Sequence, residues 1–516
     1  MRIPAQPADP RSWAARTAAA GAAGGPARRT GSPDAAAWFA AGAFGLYVAL
    51  ALAGAGGRAL IITFPLGCLL VGLFAYVRSP ATYLAFVWWA WLLTPFVRRV
   101  FDLRYGFHPT STILLGPLLA TAIALLTLVR RRNMLRSTAY LPFVVAAAAL
   151  SYAFLIGVLK QSFLAAAYDL LTWLAPLLFG LHLALEWRQF PRVRSTIASC
   201  VLWGLVVTAL YGIWQFAQPP LWDRAWVVSA EMQSVGMPLP FLIRVFSTMN
   251  APGPFSIMLV FALLLGLAAP QKWRAVPLAL GLVVLILTKG RSAWGAFLLG
   301  ALVLQMRQPL RALPRHWVAL LAVILIAAPV ITQPKVLGVL SGRAATVRNL
   351  EADNSFQNRV QFSRFALKQM ASNPAGAGLG YIGGGNKLLA ANKAGFALDS
   401  GPLEIYNVMG WIGGSLYSLA LLAIILPIVR GRKLKFETMT SAAVSAVVAL
   451  LAASVFGNIF NSASGFFFWS AVGIATAGRT YASGVALASR FAGQSPGVPV
   501  RPGPIGPNPT RHPNAA

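Results

Sequence analysis

Long apolar runs separated by short polar stretches dominate the chain from about residue 35 to residue 482. Most of these runs approach the ~20 residues that an α-helix needs to cross a ~30 Å hydrocarbon core. Inside lipid, only helices and closed barrels satisfy every backbone hydrogen bond, and unbroken apolar runs favour helices. The candidate spans are 35–55, 59–77, 81–97, 111–129, 139–159, 162–185, 195–217, 245–268, 275–288, 292–306, 316–332, 402–428, 440–457 and 464–482. The pattern therefore predicts about 12–14 membrane spans, among which 275–288 and 292–306 are the shortest.

Basic residues between the runs predict the topology, because cytoplasmic loops of membrane proteins carry an excess of Lys and Arg. With the N-terminus inside, the inside loops hold Arg130, Arg131, Arg132, Arg136, Arg188, Arg192, Arg194, Lys272, Arg274, Arg307, Arg311, Arg315, Arg430, Arg432, Lys433 and Lys435. This agreement predicts an even number of spans. The expected fold is an all-α, polytopic transmembrane helix bundle, N-in and C-in, with one large periplasmic loop that contains short helices.

Composition divides the chain into five predicted regions. A disordered cytoplasmic tail, rich in Ala, Gly, Pro and Arg, occupies 1–34, and the N-terminal transmembrane bundle occupies 35–332. The large periplasmic loop follows at 333–401, and the C-terminal transmembrane helices follow at 402–482. A second cytoplasmic tail, 483–516, is rich in Pro and Gly, a composition typical of disorder.

Two stretches predict structure within the large loop. The sequence from 355 to 370 fits an amphipathic helix. Its predicted apolar face consists of Phe356, Val360, Leu367 and Met370. The glycine-rich stretch 376–385 fits either a nest of backbone amides that binds phosphate or a flexible turn that closes the loop.

Composition and charge exclude several classes of protein. Hydrophobic residues make up 57% of the chain and charged residues only 11%, with a mean hydropathy of +0.67, which excludes a soluble domain. The net charge of +31 lies in the gaps between apolar runs, which indicates topology and anionic lipid rather than nucleic acid. Cys68 and Cys200 lie inside apolar runs and are predicted core residues. We therefore expect no metal and no cofactor.

Three segments on the predicted outer side are also basic. They are 98–110 with Arg98, Arg99 and Arg104, the turn 288–292, and the large loop. Long loops do not follow the charge rule, so the basic large loop does not contradict the predicted topology. Outward-facing arginines indicate either an anionic ligand on that side or contact with lipid headgroups.

Four segments resemble, in this order, the O-antigen ligase/polymerase superfamily. They are RVFSTMNAPGP at 244–254, LTKGRSAW at 287–294, NRVQF at 358–362 followed by NP at 373–374 and GLGY at 378–381, and DSGPLEIYNVMGWIG at 399–413. The resemblance covers roughly residues 240–425, and the preceding spans match only as generic membrane helices.

The resemblance implies a metal-independent, inverting glycosyltransferase of the bacterial inner membrane with an all-helical fold. Its donor would be a glycan on undecaprenyl pyrophosphate, whose diphosphate is held by periplasmic arginines. Where the ligases of this superfamily carry a histidine, this chain has Asp399. That departure favours a polymerase of exopolysaccharide or O-antigen repeats. Its expected partners are membrane lipids, a chain-length regulator and export proteins, with no nucleic acid.

Cationic side chains are the candidates for binding the pyrophosphate, because guanidinium groups bind phosphate oxygens bidentately and stay protonated. They are Arg244, Lys289, Arg291 and Arg359, and Arg291 and Arg359 are also the candidates for stabilising the leaving group. The alternative for each is that the side chain reaches toward the membrane interface.

Acidic side chains are the candidates for taking the acceptor proton. Asp399 is the predicted general base, with a charge at a helix N-terminus as the alternative. Asp169, Glu404 and Asn250 are predicted supporting residues. Asp169 lies inside a span, where we expect it to pair with an arginine or to act directly.

Two other functions compete with a polymerase. A ligase would transfer the finished glycan to a lipid or protein acceptor. A lipid-linked glycan flippase belongs to another class, and it predicts internal repeats and a polar path across the membrane. The two halves of the sequence show no clear repeat.

Overall fold

The computed structural model describes residues 35–55, 57–308, 354–389, 398, 400–431 and 437–493. Within these ranges the regular elements are helices, and no strand occurs. The first ten α-helices are α1 (Ala35–Ala53), α2 (Leu60–Arg78), α3 (Pro80–Tyr105), α4 (Leu115–Ala122), α5 (Leu125–Arg130), α6 (Arg132–Leu135), α7 (Leu141–Lys160), α8 (Phe163–Leu185), α9 (Phe190–Ala217) and α10 (Leu221–Ser229). They are followed by α11 (Pro252–Leu267), α12 (Ala275–Leu287), α13 (Arg291–Arg307), α14 (Asn354–Ser372), α15 (Gly401–Arg430), α16 (Thr438–Ala453) and α17 (Ser462–Gly493).

In the described part of the chain, eight helices are long and apolar enough to cross a membrane. They are Gly57–Arg78, Pro80–Tyr105, Thr112–Arg130, Leu141–Lys160, Phe163–Leu185, Trp187–Ala217, Gly401–Arg430 and Thr438–Phe456. An all-helical chain with this many such helices is a multi-pass membrane protein, so the prediction is confirmed to that extent.

Several helix ends differ from the predicted spans. Helix α3 continues beyond residue 97 to Tyr105, so Arg98 and Arg99 belong to a helix rather than to a loop. Helix α11 begins only at Pro252, where a proline fits the first turn. Helix α17 runs to Gly493, past the predicted start of the tail at 483. Hydropathy marks the apolar part of a helix, whereas partners and caps decide where it ends.

Some predicted regions lie outside the described residues. These are the tail 1–34, the span 316–332, the last residues of the chain from 494 onward, and all of the large loop except residues 354–389, 398, 400 and 401. By internal contacts, residues 29–482 form one compact unit. The bundle and the site belong to residues 29–482.

Contacts between loops define two ends of the bundle. At one, named here the Arg307 end, Arg307 donates to the Val429 carbonyl (3.0 Å) and Arg131 pairs with Glu186 (3.3 Å). Arg194 pairs with Glu437 at this end as well. The predicted inside loops around these residues therefore lie together. At the opposite end, named the Asp169 end, lie the C-terminal ends of α3 and α9 and the N-terminal ends of α8, α11, α13 and α15.

Candidate anion-binding site

Two of the sequence motifs meet on one turn at the Asp169 end. The turn joins α12 to α13, and Arg244 lies against it from the segment that precedes α11. Its Nε donates to the Thr288 carbonyl (3.0 Å), and its Nη1 donates to the Ser234 carbonyl (2.7 Å). From the other side, Lys289 Nζ donates to the Leu242 carbonyl (3.4 Å). Arg291 opens α13 directly after this turn.

We call Arg244, Lys289 and Arg291 the cationic turn. A backbone hydrogen bond from the Val245 amide to the Leu287 carbonyl (3.3 Å) joins the segment that contains Arg244 to the end of α12. Each of the three side chains is partly exposed. The structure therefore brings together three of the four cations predicted to bind a diphosphate. The fourth, Arg359, lies in α14, and its side chain is outside the described part.

The backbone around the cationic turn is strained. Non-glycine residues rarely adopt a positive φ, and a bulky residue does so least readily. The described chain has five such residues, and three of them surround Arg244: Phe241 (φ 65°), Ser247 (φ 49°) and Lys289 (φ 55°). Strain of this kind persists only where the surrounding structure holds it, and it concentrates at functional sites.

Asn250 lies at the end of the same segment, just before α11. Its backbone carbonyl accepts from Trp226 Nε1 (3.1 Å). Its side-chain oxygen is buried and has no hydrogen-bond partner in the described part of the chain. A buried carboxamide oxygen left in this state is available to a hydroxyl or amide donor. The supporting role of Asn250 stays a prediction.

The predicted amphipathic helix of the large loop is present as α14. Its buried face contains Ala366 and Met370, while Leu367 is 53% exposed. The prediction was therefore wrong for Leu367, which lies off the packed face. Trp411 of α15 donates from its indole to the Met370 carbonyl (3.1 Å), which fixes the end of α14 on the bundle.

The glycine-rich stretch follows α14 and enters the bundle between α7 and α15. We call residues 373–389 the docked segment. Helix α15 is interrupted at Gly410, whose φ of 66° and ψ of −170° are not helical. The Ala377 and Gly378 amides donate to the Asn407 and Val408 carbonyls that this break releases (2.8 and 2.9 Å). Irregular backbone is tolerated at membrane depth only where such bonds are satisfied by protein.

Asp169 fastens the far part of the docked segment to α8. Its two carboxylate oxygens accept from the Gly380 and Gly385 amides, each at 2.8 Å, and the residue is 4% exposed. The arginine partner predicted for Asp169 is replaced by these two amides. The amides of residues 376–380 all bind protein groups, so an external phosphate nest there is excluded. Two amides of the stretch thus bind an internal anion, the Asp169 carboxylate.

Glu404 lies near Asp169 in the first turn of α15. It is 5% exposed, and its Oε1 accepts from Asn461 Nδ2 (3.3 Å) in the connection to α17. Asp399, the predicted general base, lies outside the described residues. Asn461 thus orients the Glu404 carboxylate through one of its oxygens.

The arginines of α3 have internal partners. Arg98 bonds to Asp102 (3.3 Å) and to the His108 carbonyl (2.7 Å), and Arg99 pairs with Asp223. Arg99 is fully buried, so the outward-facing arginine expected at this position was wrong. Asp223 was not among the residues predicted for the site. Its acidic side chain in an apolar chain with only 12 Asp and Glu residues was the available signal.

The described residues contain no group of three or more His, Cys, Asp or Glu side chains that could hold a metal ion. Cys68 and Cys200 are buried and free. A scan against protein-family models finds no match to this chain, and a search of curated proteins finds none either.

Proposed function

We propose that the protein polymerises undecaprenyl-pyrophosphate-linked oligosaccharide repeats into exopolysaccharide or O-antigen. The reaction is an inverting, metal-independent glycosyl transfer on the periplasmic side of the bacterial inner membrane. The observation that carries the proposal is the cationic turn, where Arg244 joins Lys289 and Arg291 from a separate part of the sequence.

The cationic turn supports the proposal through its charge. The three side chains are cationic, and a diphosphate bound between them accepts charge-assisted hydrogen bonds. During transfer, the acceptor hydroxyl oxygen attacks the anomeric carbon and the bond from that carbon to the phosphate oxygen breaks. The diphosphate leaves with the electron pair, and Arg244 and Arg291 stabilise the charge that develops on it. Arg359 is the further cation assigned to this step.

The acceptor hydroxyl must release its proton to a base as the new bond forms. Asp399, immediately before α15, is the proposed acceptor of this proton. Glu404 supports it from one turn further along the chain, where Asn461 orients its carboxylate. Asp169 acts indirectly, because both of its oxygens bind the docked segment.

The charge of the loops supports the orientation. The Arg307 end carries Arg130, Arg131, Arg188, Arg192 and Arg274, as a cytoplasmic surface would. The cationic turn then faces the periplasm, where lipid-linked repeats are joined.

Within the described ranges, the break in α15 is a feature that favours a transporter, because discontinuous helices line ion and substrate sites in transporters. Here the carbonyls released by the break accept from the Ala377 and Gly378 amides, so protein groups already bind them. A ligase would use the same cationic turn, and the nature of the product separates it from a polymerase.

The test is polymerisation of purified lipid-linked repeats by the protein in liposomes. Arg291→Ala should abolish polymer, because the leaving diphosphate loses a charge partner. Arg104→Ala is the matched control, since Arg104 lies at the same end and bonds only peripherally to the Ala53 carbonyl (3.3 Å). Polymer of normal length from Arg291→Ala protein would remove the cationic turn from the reaction.

A deletion strain separates the competing functions. Accumulated single repeats on lipid support the polymerase. Long polymer retained on lipid indicates a ligase instead, and intermediates trapped on the cytoplasmic leaflet indicate a flippase.

A further inference from the structure

A buried polar cluster lies directly behind the cationic turn. Gln215 of α9 accepts at Oε1 from the Phe246 and Ser247 amides, both at 2.9 Å. Arg99 of α3 donates from Nη2 to the Ser247 carbonyl (2.5 Å), and its guanidinium lies 4.8 Å from the centroid of the Phe246 ring. Phe246 and Ser247 are thus held through both of their amides and through the Ser247 carbonyl.

Asp223 of α10 holds the cluster together. Besides the pair with Arg99, it accepts from Gln215 Nε2 (2.6 Å) and from the Tyr211 hydroxyl (2.9 Å). Asp223 is fully buried, and this burial raises its pKa, which the neighbouring Arg99 opposes. One carboxylate therefore orients both side chains that grip Ser247.

Such a cluster is an inefficient way to stabilise a fold. The cost of removing a charge pair from water often exceeds the attraction gained, and apolar side chains of similar volume would pack as well. What this cluster supplies is a fixed geometry. Ser247 keeps its unfavourable φ because its amide, carbonyl and hydroxyl are all bonded, the last to the Thr208 carbonyl (2.5 Å). Strain held by several bonds in this way is typical of ligand sites.

We propose that Arg99, Gln215 and Asp223 form a positioning cluster that holds the 246–247 turn and thereby sets Arg244 in place for a diphosphate. Arg244 precedes Ser247 by three residues, and its own amide bonds to the Val235 carbonyl (2.7 Å). Because the backbone is fixed on both sides of Arg244, its guanidinium is held against the α12–α13 turn. The inference rests on the proposed function, since Arg244 is one of the groups assigned to the diphosphate.

The test is calorimetric binding of inorganic pyrophosphate to the full-length protein in detergent. Gln215→Met keeps the side-chain length but removes the acceptor of two backbone amides, so we expect about tenfold weaker binding, equal to roughly 1.4 kcal/mol. Tyr105→Phe is the control at the same end, because it removes a hydroxyl bond to the Gly54 carbonyl (2.7 Å) outside the cluster. Its affinity should equal that of the wild type.

A double substitution distinguishes positioning from general support of the fold. In an Arg244→Ala background, Gln215→Met should cause no further loss of affinity, because the cluster acts through Arg244. Unchanged binding by Gln215→Met, or losses that add in the double variant, would overturn the positioning role while leaving the proposed function intact. If wild-type protein binds no pyrophosphate, the proposed function fails first, and the inference fails with it.

A milder variant covers the case in which Gln215→Met does not fold. Tyr211→Phe removes one of the donors to Asp223 and leaves the Arg99 pair in place. We expect about two- to threefold weaker binding, again absent in the Arg244→Ala background. Wild-type affinity in Tyr211→Phe protein would contradict the proposal.

Discussion

The cationic turn and the docked segment lie at the same end of the bundle, yet their backbones are built in opposite ways. All positive-φ residues of the docked segment are glycines: Gly376, Gly378, Gly380 and Gly383. Around the cationic turn, the corresponding positions are Phe241, Ser247 and Lys289, which adopt this conformation at a cost. Glycine in the first region permits close packing, whereas strain in the second accompanies the placement of charged side chains.

The two regions also differ in how they treat negative charge. The docked segment presents amides, and Asp169 supplies their anion from within the chain. The cationic turn presents positively charged side chains that are partly exposed. A glycine-rich stretch near a membrane surface is therefore not by itself a phosphate site, because its amides can serve the fold. The following substitutions separate fixed packing from anion binding.

Gly378→Ala should have the largest effect on stability. A Cβ at this position would lie 2.3 Å from the Gly157 amide nitrogen, and the φ of 81° is unfavourable for alanine. Left-handed strain and overpacking together should cost about 4 kcal/mol. The measurement is unfolding in detergent, followed by tryptophan fluorescence.

Gly383→Ala is the matched control within the same segment. Its φ is 89°, but a Cβ there would meet nothing within 4 Å. We expect a loss of only about 1–2 kcal/mol, from left-handed strain alone. Equal losses at the two positions would show that the docked segment does not pack against α7.

Asp169→Asn should have the next largest effect on stability. The variant keeps one acceptor oxygen but turns an NH₂ group toward the second glycine amide, so two buried donors face each other. Losing charge-assisted bonds at a buried site should cost about 3 kcal/mol. Limited proteolysis should then cut within residues 373–389.

The matched control is Glu231→Gln, which neutralises an exposed acidic residue between α10 and α11. Its proteolysis pattern should be that of the wild type. A protected docked segment in Asp169→Asn protein would mean that other contacts alone keep it in place.

The sequence predicted the helical class because apolar runs report directly on lipid contact. It also placed Arg244 and Lys289 in one site, but only through the resemblance of separate motifs. The positioning cluster could not be predicted, since Gln215 and Asp223 bind backbone groups that become neighbours only after folding. The partner of Asp169 was missed for a related reason. A buried carboxylate suggests an arginine as its partner. Backbone amides of glycine carry no charge, so the pattern of charged residues cannot indicate them as partners.

Lys289→Gly should separate strain from charge at the cationic turn. Glycine accepts a φ of 55° without cost, so the variant should gain about 1 kcal/mol of stability while losing polymerisation activity. Lys289→Ala is the paired control, since it removes the same charge but keeps the strain. It should lose activity to the same degree with no gain in stability. Stabilisation of both variants alike would show that the charge, not the backbone, carries the cost.

The smallest effect should come from Lys387, the cation of the docked segment. Removal from water lowers its pKa from the ordinary 10.5, and the nearby Arg98 lowers it further. Above the folded-state pKa the folded protein has lost a proton that the unfolded chain still binds, so stability rises with pH up to about 10.5. The wild type should therefore gain stability relative to Lys387→Gln in unfolding measured from neutral pH upward. Parallel curves would contradict a lowered pKa of Lys387 in the folded protein.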